Sequence, residues 1–473
     1  MSNTIAKTTA NVAENPASSA HAVHGFAYSQ DQFRQLVEDA LNEARRLGAS
    51  DAGAEVSEGC GLSVSVRRGE LENVERNRDK TLGISVYLGQ RRGNASTSDF
   101  SPQALKDTVR AAFDIARFTA EDAFAGLPDE QDLALDASQR PELDLFHPWD
   151  LDAEAAAQLA LRCEAACFAT DPRITNSEGA AVSAQQSHFI AGNTRGFMGG
   201  YASSRHTLSV APIAGRGAGM QRDAWYSSMR AAADLASPEA IGRYAAERAL
   251  SRLKARRVKT AEVPVLFEST VAAGLLGALV QATSGGALYR KASFLLDSLG
   301  KPVLAPHIDV HEDPHELKGK GSTPFDDEGV ITRPRTVVEA GVLQGYFLST
   351  YSARKLGLRT TGHAGGSHNL RMSSRNTAPG DDLTTMLRRL GRGLFVTELM
   401  GQGVNYVTGD YSRGASGYWV ENGEIAFPVH EVTIAGSMRQ MFQDIVGIGN
   451  DVYTLGSKSV GSILVSRMKL AGA

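Results

Sequence analysis

The chain has 473 residues, of which 42% are hydrophobic and 22% charged, and its formal net charge is −4. This balance is typical of a folded globular protein and argues against nucleic acid as a partner. Only three cysteines occur, and no apolar run reaches the length of a membrane span, so neither a disulfide framework nor a membrane protein is expected.

The first elements are predicted from residue patterns. Residues 1–25 lack the basic start and apolar core of a secretion signal, and we predict a disordered tail on a cytoplasmic protein. Apolar residues at helical spacing predict a helix over 31–47, and Ser101 with Pro102 opens a second over 102–118. Alternating residues between them predict strands at 51–57, 62–67, 72–77, 81–88 and 93–98.

A connector with several Pro and Asp residues follows over 127–150. After it, the patterns predict a helix over 152–169, strands within 174–213 and another helix over 238–253. Helices and strands in this order predict an N-terminal α+β domain over 26–260.

Residues 261–473 are predicted to form a second, β-rich domain that contains one well-ordered helix. The helix is indicated by apolar residues at helical spacing, namely Ala272, Leu275, Leu276, Leu279 and Val280. The glycine pair at 285–286 is predicted to end it. None of its side chains could bind a metal or attack a carbonyl. Tyr289, Arg290 and Lys291 follow directly as a polar cluster.

The remaining segments are rich in strand and turn signals. A hairpin is predicted around Gly341, and Asn422-Gly423 predicts another between 417–420 and 424–427. Further strands are predicted at 394–400, 404–408, 429–435 and 463–468, with a short helix at 438–445.

One stretch has the letters of a zinc-protease motif, H-E-x-x-H, from His311 through Glu312 to His315. That motif works only on a continuous helix, which places both histidines on one face. Pro314 has no N–H and pushes Asp313 out of the helical region. We therefore predict a strand that enters a turn, with histidines at the surface.

A second polar group lies in a Gly-rich loop and contains His363, His368, Asn369 and then Arg371. Such loops present backbone N–H groups to ligands. Two interpretations stay open, a purely structural loop and the lining of a peptide-binding cleft.

Two further patterns suggest chemistry less strongly. Cys163 and Cys167 lie one helical turn apart, and their Ala-rich surroundings favour small buried residues over a metal site. Ser284, Tyr289 and Lys291 could form a nucleophile activated by a lysine, although spacing alone does not establish that geometry.

Several long blocks of the C-terminal half occur together and in a fixed order. They read SGGALYRKASFLLDSLGK from residue 284, STPFDDEGV from 322, YSARKLGL from 351, TGHAGGSHN from 361 and GYWVENGEIAFPVHEVTIAG from 417. These blocks resemble the TldD/PmbA metallopeptidase family and, within it, the TldE/PmbA half. The similarity extends from about Phe26 to the C-terminus.

The resemblance implies an N-terminal α+β domain followed by a strand-rich C-terminal domain around a long helix. It also implies a heterodimer in which the TldD-like subunit carries zinc on an H-E-x-x-x-H helix and a C-terminal cysteine. Such pairs cleave small or unfolded peptides and mature peptide precursors. Here Gly277, Ala278 and Ala282 stand where the ligands and base are expected, and no cysteine follows Cys167.

The resemblance therefore implies no catalytic residue and no metal ligand in this chain, with zinc on a TldD-like partner. The chain is expected to form part of the substrate cleft, and to form a homodimer when the partner is missing. The candidate cleft residues are Tyr289, Arg290, Lys291, His363, His368, Asn369 and Arg371. Two alternatives remain, a stand-alone zinc metalloprotease and a non-catalytic peptide-binding scaffold.

Overall fold

The computed structural model describes residues 25–472 of the chain. The predicted tail over 1–25 lies outside the described residues, apart from Gly25. Helices and antiparallel strands are combined throughout, which confirms the predicted α+β class. No helix within 25–472 has both the length and the apolar character needed to cross a bilayer.

The first half of the chain builds one eight-stranded antiparallel sheet with four helices. Its elements are α1 Gln30–Leu47, β1 Asp51–Arg67, β2 Glu70–Leu88, β3 Arg91–Thr97, α2 Pro102–Phe118, α3 Ala153–Thr170, β4 Ile174–Asn193, β5 Met198–Gly199, β6 Ala202–Ala214, β7 Gln221–Arg222, β8 Trp225–Met229 and α4 Pro238–Ser251. The strand order is β3-β2-β1-β4-β6-β7, with β5 beside β4 and β8 beside β6.

The second half builds two six-stranded sheets around a helix. Its elements are β9 Ala261–Phe267, α5 Ser269–Ala282, α6 Gly285–Tyr289, β10 Ile308–Asp313, β11 Arg335–Glu339, β12 Val342–Leu343, α7 Thr350–Lys355, β13 Asn369–Ser374, α8 Leu383–Leu390, β14 Gly393–Met400, β15 Asp410–Glu421, β16 Glu424–Ser437, α9 Met438–Gln443, β17 Ile445–Ile448, β18 Tyr453–Leu455, β19 Lys458–Val460 and β20 Ile463–Ala471. The orders are β12-β11-β10-β13-β19-β18 and β16-β15-β14-β9-β20-β17. Helix α5 shares one buried core with residues of both sheets.

Local signals explain where the predicted helices begin. Ser29 caps α1 by accepting a hydrogen bond from the N–H of Gln32, and the N–H of Ser29 donates to Oε1 of Gln32, which completes a capping box. Ser101 caps α2, with Pro102 in its first turn. The predicted bounds of these two helices are confirmed to within one residue.

Two predictions of separate strands were wrong. Segments 51–57 and 62–67 belong to the single strand β1, and 72–77 and 81–88 belong to β2. The glycines at 59 and 61 do not interrupt β1, because β4 pairs with it in unbroken register from Gly53 to Val66. Pairing on both sides outweighs the local cost of glycine in a strand.

Two predictions in the second half were also wrong. Helix α5 ends at Ala282 before the glycine pair, and Gly285 begins α6 instead. A Cβ on Gly285 would lie 2.1 Å from Oγ of Ser352, so close packing explains that glycine. Segment 404–408 is a turn, since Oδ1 of Asn405 accepts hydrogen bonds from the backbone there.

The N-terminal sheet has two different faces. Helices α1 and α2 cover one part of the first face, around Phe33 and Val56, and α3 and α4 cover the rest. The other face turns toward the C-terminal half. Phe189 and Tyr201 on that face contact Phe325, at ring-centroid distances of 6.3 and 5.9 Å. This second face and the segment that contains Phe325 enclose a groove.

Candidate functional site

A groove runs along the second face of the N-terminal sheet, and we call it the sheet groove. It consists of three cavities of about 440, 400 and 380 Å³. The first and second cavities share Glu55 and Asp327, and the second and third share Gly59 and Ser187. Residues of β3, β2, β1, β4 and β6 form its floor. Residues 325–328 of the C-terminal half form its opposite wall.

Asp326 fixes the shape of that wall. Its Oδ1 accepts hydrogen bonds from the backbone N–H of Glu328 and of Val330, both at 2.9 Å. Its Oδ2 accepts one from the N–H of Ala364, also at 2.9 Å. A single buried carboxylate thus ties the wall segment to the loop that contains His363.

The charge along the groove is uneven. Glu55 and Asp327 lie in its first and second cavities. Burial raises the pKa of both carboxyl groups, and nearby negative charge raises it further. Arg205 and Arg230 lie in the third cavity. The groove is therefore acidic in one part and cationic at its far end.

The loop histidines belong to a buried hydrogen-bond network centred on Glu312 of β10. The Nε2 of His363 lies 2.8 Å from Oε2 of Glu312, and Arg335 donates from Nε to the same oxygen at 2.7 Å. The backbone N–H of His368 donates to Oε1 at 2.7 Å. Burial opposes ionisation of Glu312, but these partners outweigh it and hold its pKa at about 2.

Asn369 extends this network toward the groove wall. Its Nδ2 donates to the carbonyl of Asp313 at 2.8 Å and to Oγ of Ser322 at 2.7 Å. Its Oδ1 accepts from the N–H of Gly321 at 2.8 Å. The structure thus brings His363, His368 and Asn369 together, with all three buried. They hold the loops behind the wall.

The other predicted cleft residues lie apart from this network. Arg371 is an exposed residue of β13. Tyr289 packs edge-on against Tyr351 at 5.8 Å, and Arg290 lies over the ring of Tyr289. Lys291 is exposed beside them. Among residues 25–472, no hydrogen bond or ring contact joins these side chains to the histidines.

The Glu312 network contains three potential metal ligands, because ligand atoms of Glu312, His363 and His368 lie within 4.8 Å of one another. Every donor already has a partner: Nε2 of His368, for example, lies 2.9 Å from the carbonyl of Gly362. The Arg335 guanidinium also occupies the position beside the carboxylate that a cation would take. These residues do not fit a zinc centre.

The H-E-x-x-H stretch is confirmed as a strand that enters a turn. His311 is exposed in β10, and His315 lies beyond the end of that strand with Nε2 at 3.2 Å from Oγ1 of Thr332. The two histidines therefore do not share a helical face. Glu312, between them, points into the core instead.

Helix α5 borders a much smaller cavity, of about 90 Å³. Gly274, Leu275 and Ala278 line its helix side, and Tyr411 and Arg413 lie across from them. A Cβ added to Gly274 would meet no atom within 4 Å. The helix thus offers space here and no donor atom for zinc, so it does not fit a catalytic metal site.

Comparisons with known proteins find similar proteins along most of the chain. Family models described as PmbA/TldA metallopeptidase domain 1, central domain and C-terminal domain match residues 54–116, 146–253 and 260–472. The chain is 50% identical to "Metalloprotease PmbA" of Escherichia coli O157:H7, covering 93% of this chain and 97% of that protein. It is 46% identical to "Metalloprotease PmbA homolog" of Haemophilus influenzae, covering 94% and 97%.

Solved structures share the fold. A protein from Bacteroides thetaiotaomicron, named as a candidate modulator of DNA gyrase, superimposes with a TM-score of 0.87 at 26% identity and covers 94% of this chain and all of that one. TldE from Thermococcus kodakarensis gives a TM-score of 0.80 at 19% identity over 92% of this chain. At 19% identity, the Thermococcus kodakarensis structure shows only that the fold is shared.

Proposed function

The chain belongs to the PmbA/TldD metallopeptidase family, and from that premise we propose that it is the non-catalytic, TldE/PmbA-like subunit of a peptidase pair. In this proposal a TldD-like subunit holds the zinc, and this chain supplies part of the cleft that binds small or unfolded peptides. The pair acts in the cytoplasm, in proteolysis and in the maturation of peptide precursors.

The observation that carries the proposal is the chemistry of α5. The family resemblance expects zinc ligands on this helix, whereas Ser269–Ala282 offers only hydroxyl, amide and apolar side chains. A zinc ion in a protein is held by Cys, His or carboxylate ligands, three of them in a catalytic site. Hydrolysis therefore requires a second chain that provides these ligands.

A distant relationship supports the choice of partner. The "Metalloprotease TldD homolog" of Haemophilus influenzae is 27% identical over 216 residues, which cover 42% of this chain. A partner of the same fold would present a surface related to this chain's own. Twofold-like pairing of two related subunits is the usual geometry of such assemblies, and it also allows a homodimer when the partner is missing.

The sheet groove supports a role in peptide binding. It is long enough for an extended segment, because it crosses from β3 to β6, and neighbouring strands lie roughly 4.8 Å apart. Its lining mixes apolar rings with charged and amide side chains, as ligand-binding clefts do. In this proposal three of the predicted cleft residues contribute indirectly, by holding the wall of the sheet groove in place. They are His363, His368 and Asn369.

The experiment mixes the purified chain with a TldD-like subunit and follows hydrolysis of an unfolded peptide. We expect negligible hydrolysis by this chain alone and a strong, chelator-sensitive rate from the mixture. Zinc-dependent hydrolysis by this chain alone would instead establish the stand-alone metalloprotease. If this chain binds the peptide but does not change the hydrolysis rate of the TldD-like subunit, the non-catalytic peptide-binding scaffold is favoured.

A further inference from the structure

Two arginine side chains line the far end of the sheet groove, and Lys320 lies close to one of them, Arg205. Arg230 is 8% exposed and donates from Nε and Nη2 to the carbonyl of Gly319, at 3.1 and 3.0 Å. Arg205 donates from Nη2 to the carbonyl of Lys320 at 3.4 Å, while its Nε is buried without a partner. Both arginines line the cavity of about 380 Å³.

The positive charge of this cluster is not balanced. Among residues 25–472, no carboxylate forms an ion pair with Arg205, Arg230 or Lys320. Burial lowers the pKa of Arg230 to about 10, and the neighbouring charge of Arg205 adds to the effect. Burial and the charge of Arg205 also lower the pKa of Lys320. An anion placed in the cavity would relieve this repulsion.

The surroundings fit a small planar anion. Asn77, Gln185 and Ser203 line the same cavity and can donate further hydrogen bonds. Arginine binds carboxylates through two parallel N–H groups, a geometry that lysine cannot reproduce. The groove has the opposite character around Glu55 and Asp327, where a second carboxylate would be repelled.

We propose that the cavity lined by Arg205 and Arg230, with the charge of Lys320 beside Arg205, binds a carboxylate of the peptide and so fixes the direction in which the peptide lies in the sheet groove. This inference rests on the proposed peptide-binding function. The carboxylate is either the C-terminus of the peptide or an Asp or Glu side chain, since both present the same two oxygens.

The test measures binding of fluorescein-labelled hexapeptides of Ala and Ser to the full chain by fluorescence anisotropy at low salt. One peptide has a free C-terminal carboxylate, one a C-terminal amide, and one the amide with a single internal Glu. We expect the first or the third to bind about tenfold more tightly than the plain amide. Whichever gains affinity identifies the source of the carboxylate.

Arg205→Gln removes one of the two cations that line the cavity and is expected to abolish that preference. Lys320→Met is a second variant that removes charge without touching Arg205, and it should reduce the preference in the same direction. Arg216→Gln is the matched control, because Arg216 is exposed just beyond the opposite end of β6.

Equal binding of all three peptides, or an unchanged preference in Arg205→Gln and Lys320→Met, would overturn the carboxylate site and leave peptide binding intact. A chain that binds none of the peptides would also overturn it. The hydrolysis assay with mixed subunits then decides separately whether the proposed function falls as well.

Discussion

Glu312 and His363 meet in the core of the C-terminal half, with 2.8 Å between Oε2 and Nε2 and side chains that are 0% and 2% exposed. This contact links β10 to the loop that backs the groove wall. Glu312→Gln removes the negative charge that faces both His363 and Arg335, and it leaves the half-buried Arg335 guanidinium without its carboxylate partner. We expect a loss of about 3 kcal/mol in the free energy of unfolding, measured by urea denaturation.

The control for that variant is Glu339→Gln on the neighbouring strand. Glu339 is exposed, so its replacement should change stability by less than about 0.5 kcal/mol. Equal effects of the two substitutions would show that the Glu312 network contributes nothing particular to stability.

The same network predicts a dependence on pH. The pKa of Glu312 is lowered from 4.5 to about 2 in the folded protein. A carboxyl group whose pKa is lower in the folded state stabilises the folded protein fully at any pH above its unfolded-state pKa. For Glu312 this stabilisation is lost as the pH falls from 4.5 toward 2. The stability difference between the unaltered chain and Glu312→Gln should therefore shrink by roughly 3 kcal/mol over that range.

Melting temperatures of both proteins at pH 7, 5, 4 and 3 provide the measurement. Other carboxyl groups titrate in the same range, but they do so in both proteins, and the difference isolates Glu312. A difference that stays constant down to pH 3 would contradict the assignment.

The cysteines should differ sharply in reactivity. Cys163 and Cys167 are fully buried between α3 and α4, and burial raises the pKa of each thiol, that of Cys167 to about 12. Cys60 is only half-buried in β1. A disulfide reagent such as DTNB should titrate one thiol in the native chain and all three after denaturation. Rapid loss of more than one native thiol would contradict this packing.

Replacement of glycine by alanine should change stability in opposite directions at two helical positions, 274 and 242. Gly274→Ala adds a methyl group in open space within α5 and should stabilise the chain by about 0.5–1 kcal/mol through helix propensity. Gly242→Ala places the methyl group 2.3 Å from the carbonyl of Cys163, where α4 meets α3. That variant should lose about 1–3 kcal/mol. Thermal unfolding compares them directly, and equal shifts would show that the space beside α5 is not open.

Residue patterns predicted the fold where local signals and packing agree. The Ser101-Pro102 start of α2 and the apolar spacing in α1 and α5 predicted helices close to the observed ones. Patterns failed where pairing with distant strands decides the outcome, as in β1, which continues through Gly59 because β4 lies beside it.

For the candidate site, the sequence predicted residues of the Gly-rich loop but not the carboxylate that they surround. The sequence predicts His363, His368 and Asn369 as candidate cleft residues. It assigns no role to Glu312, because the zinc motif that contains Glu312 is rejected. A signal was present: Glu312 follows Ile308 and Val310 at every second position of β10, so it faces the core. Arg205 and Arg230 carried no comparable signal, because only the folded sheet brings them beside Lys320.

The metal content of this chain, purified by itself and dialysed against buffer containing zinc, tests the central claim most directly. Helix α5 offers no zinc ligands, and both carboxylate oxygens of Glu312 already bind protein partners. We therefore predict well below one equivalent of zinc per chain. A TldD-like subunit treated identically should hold a stoichiometric amount. One tightly held zinc per chain, lost on replacing His363 or another single residue, would contradict the account.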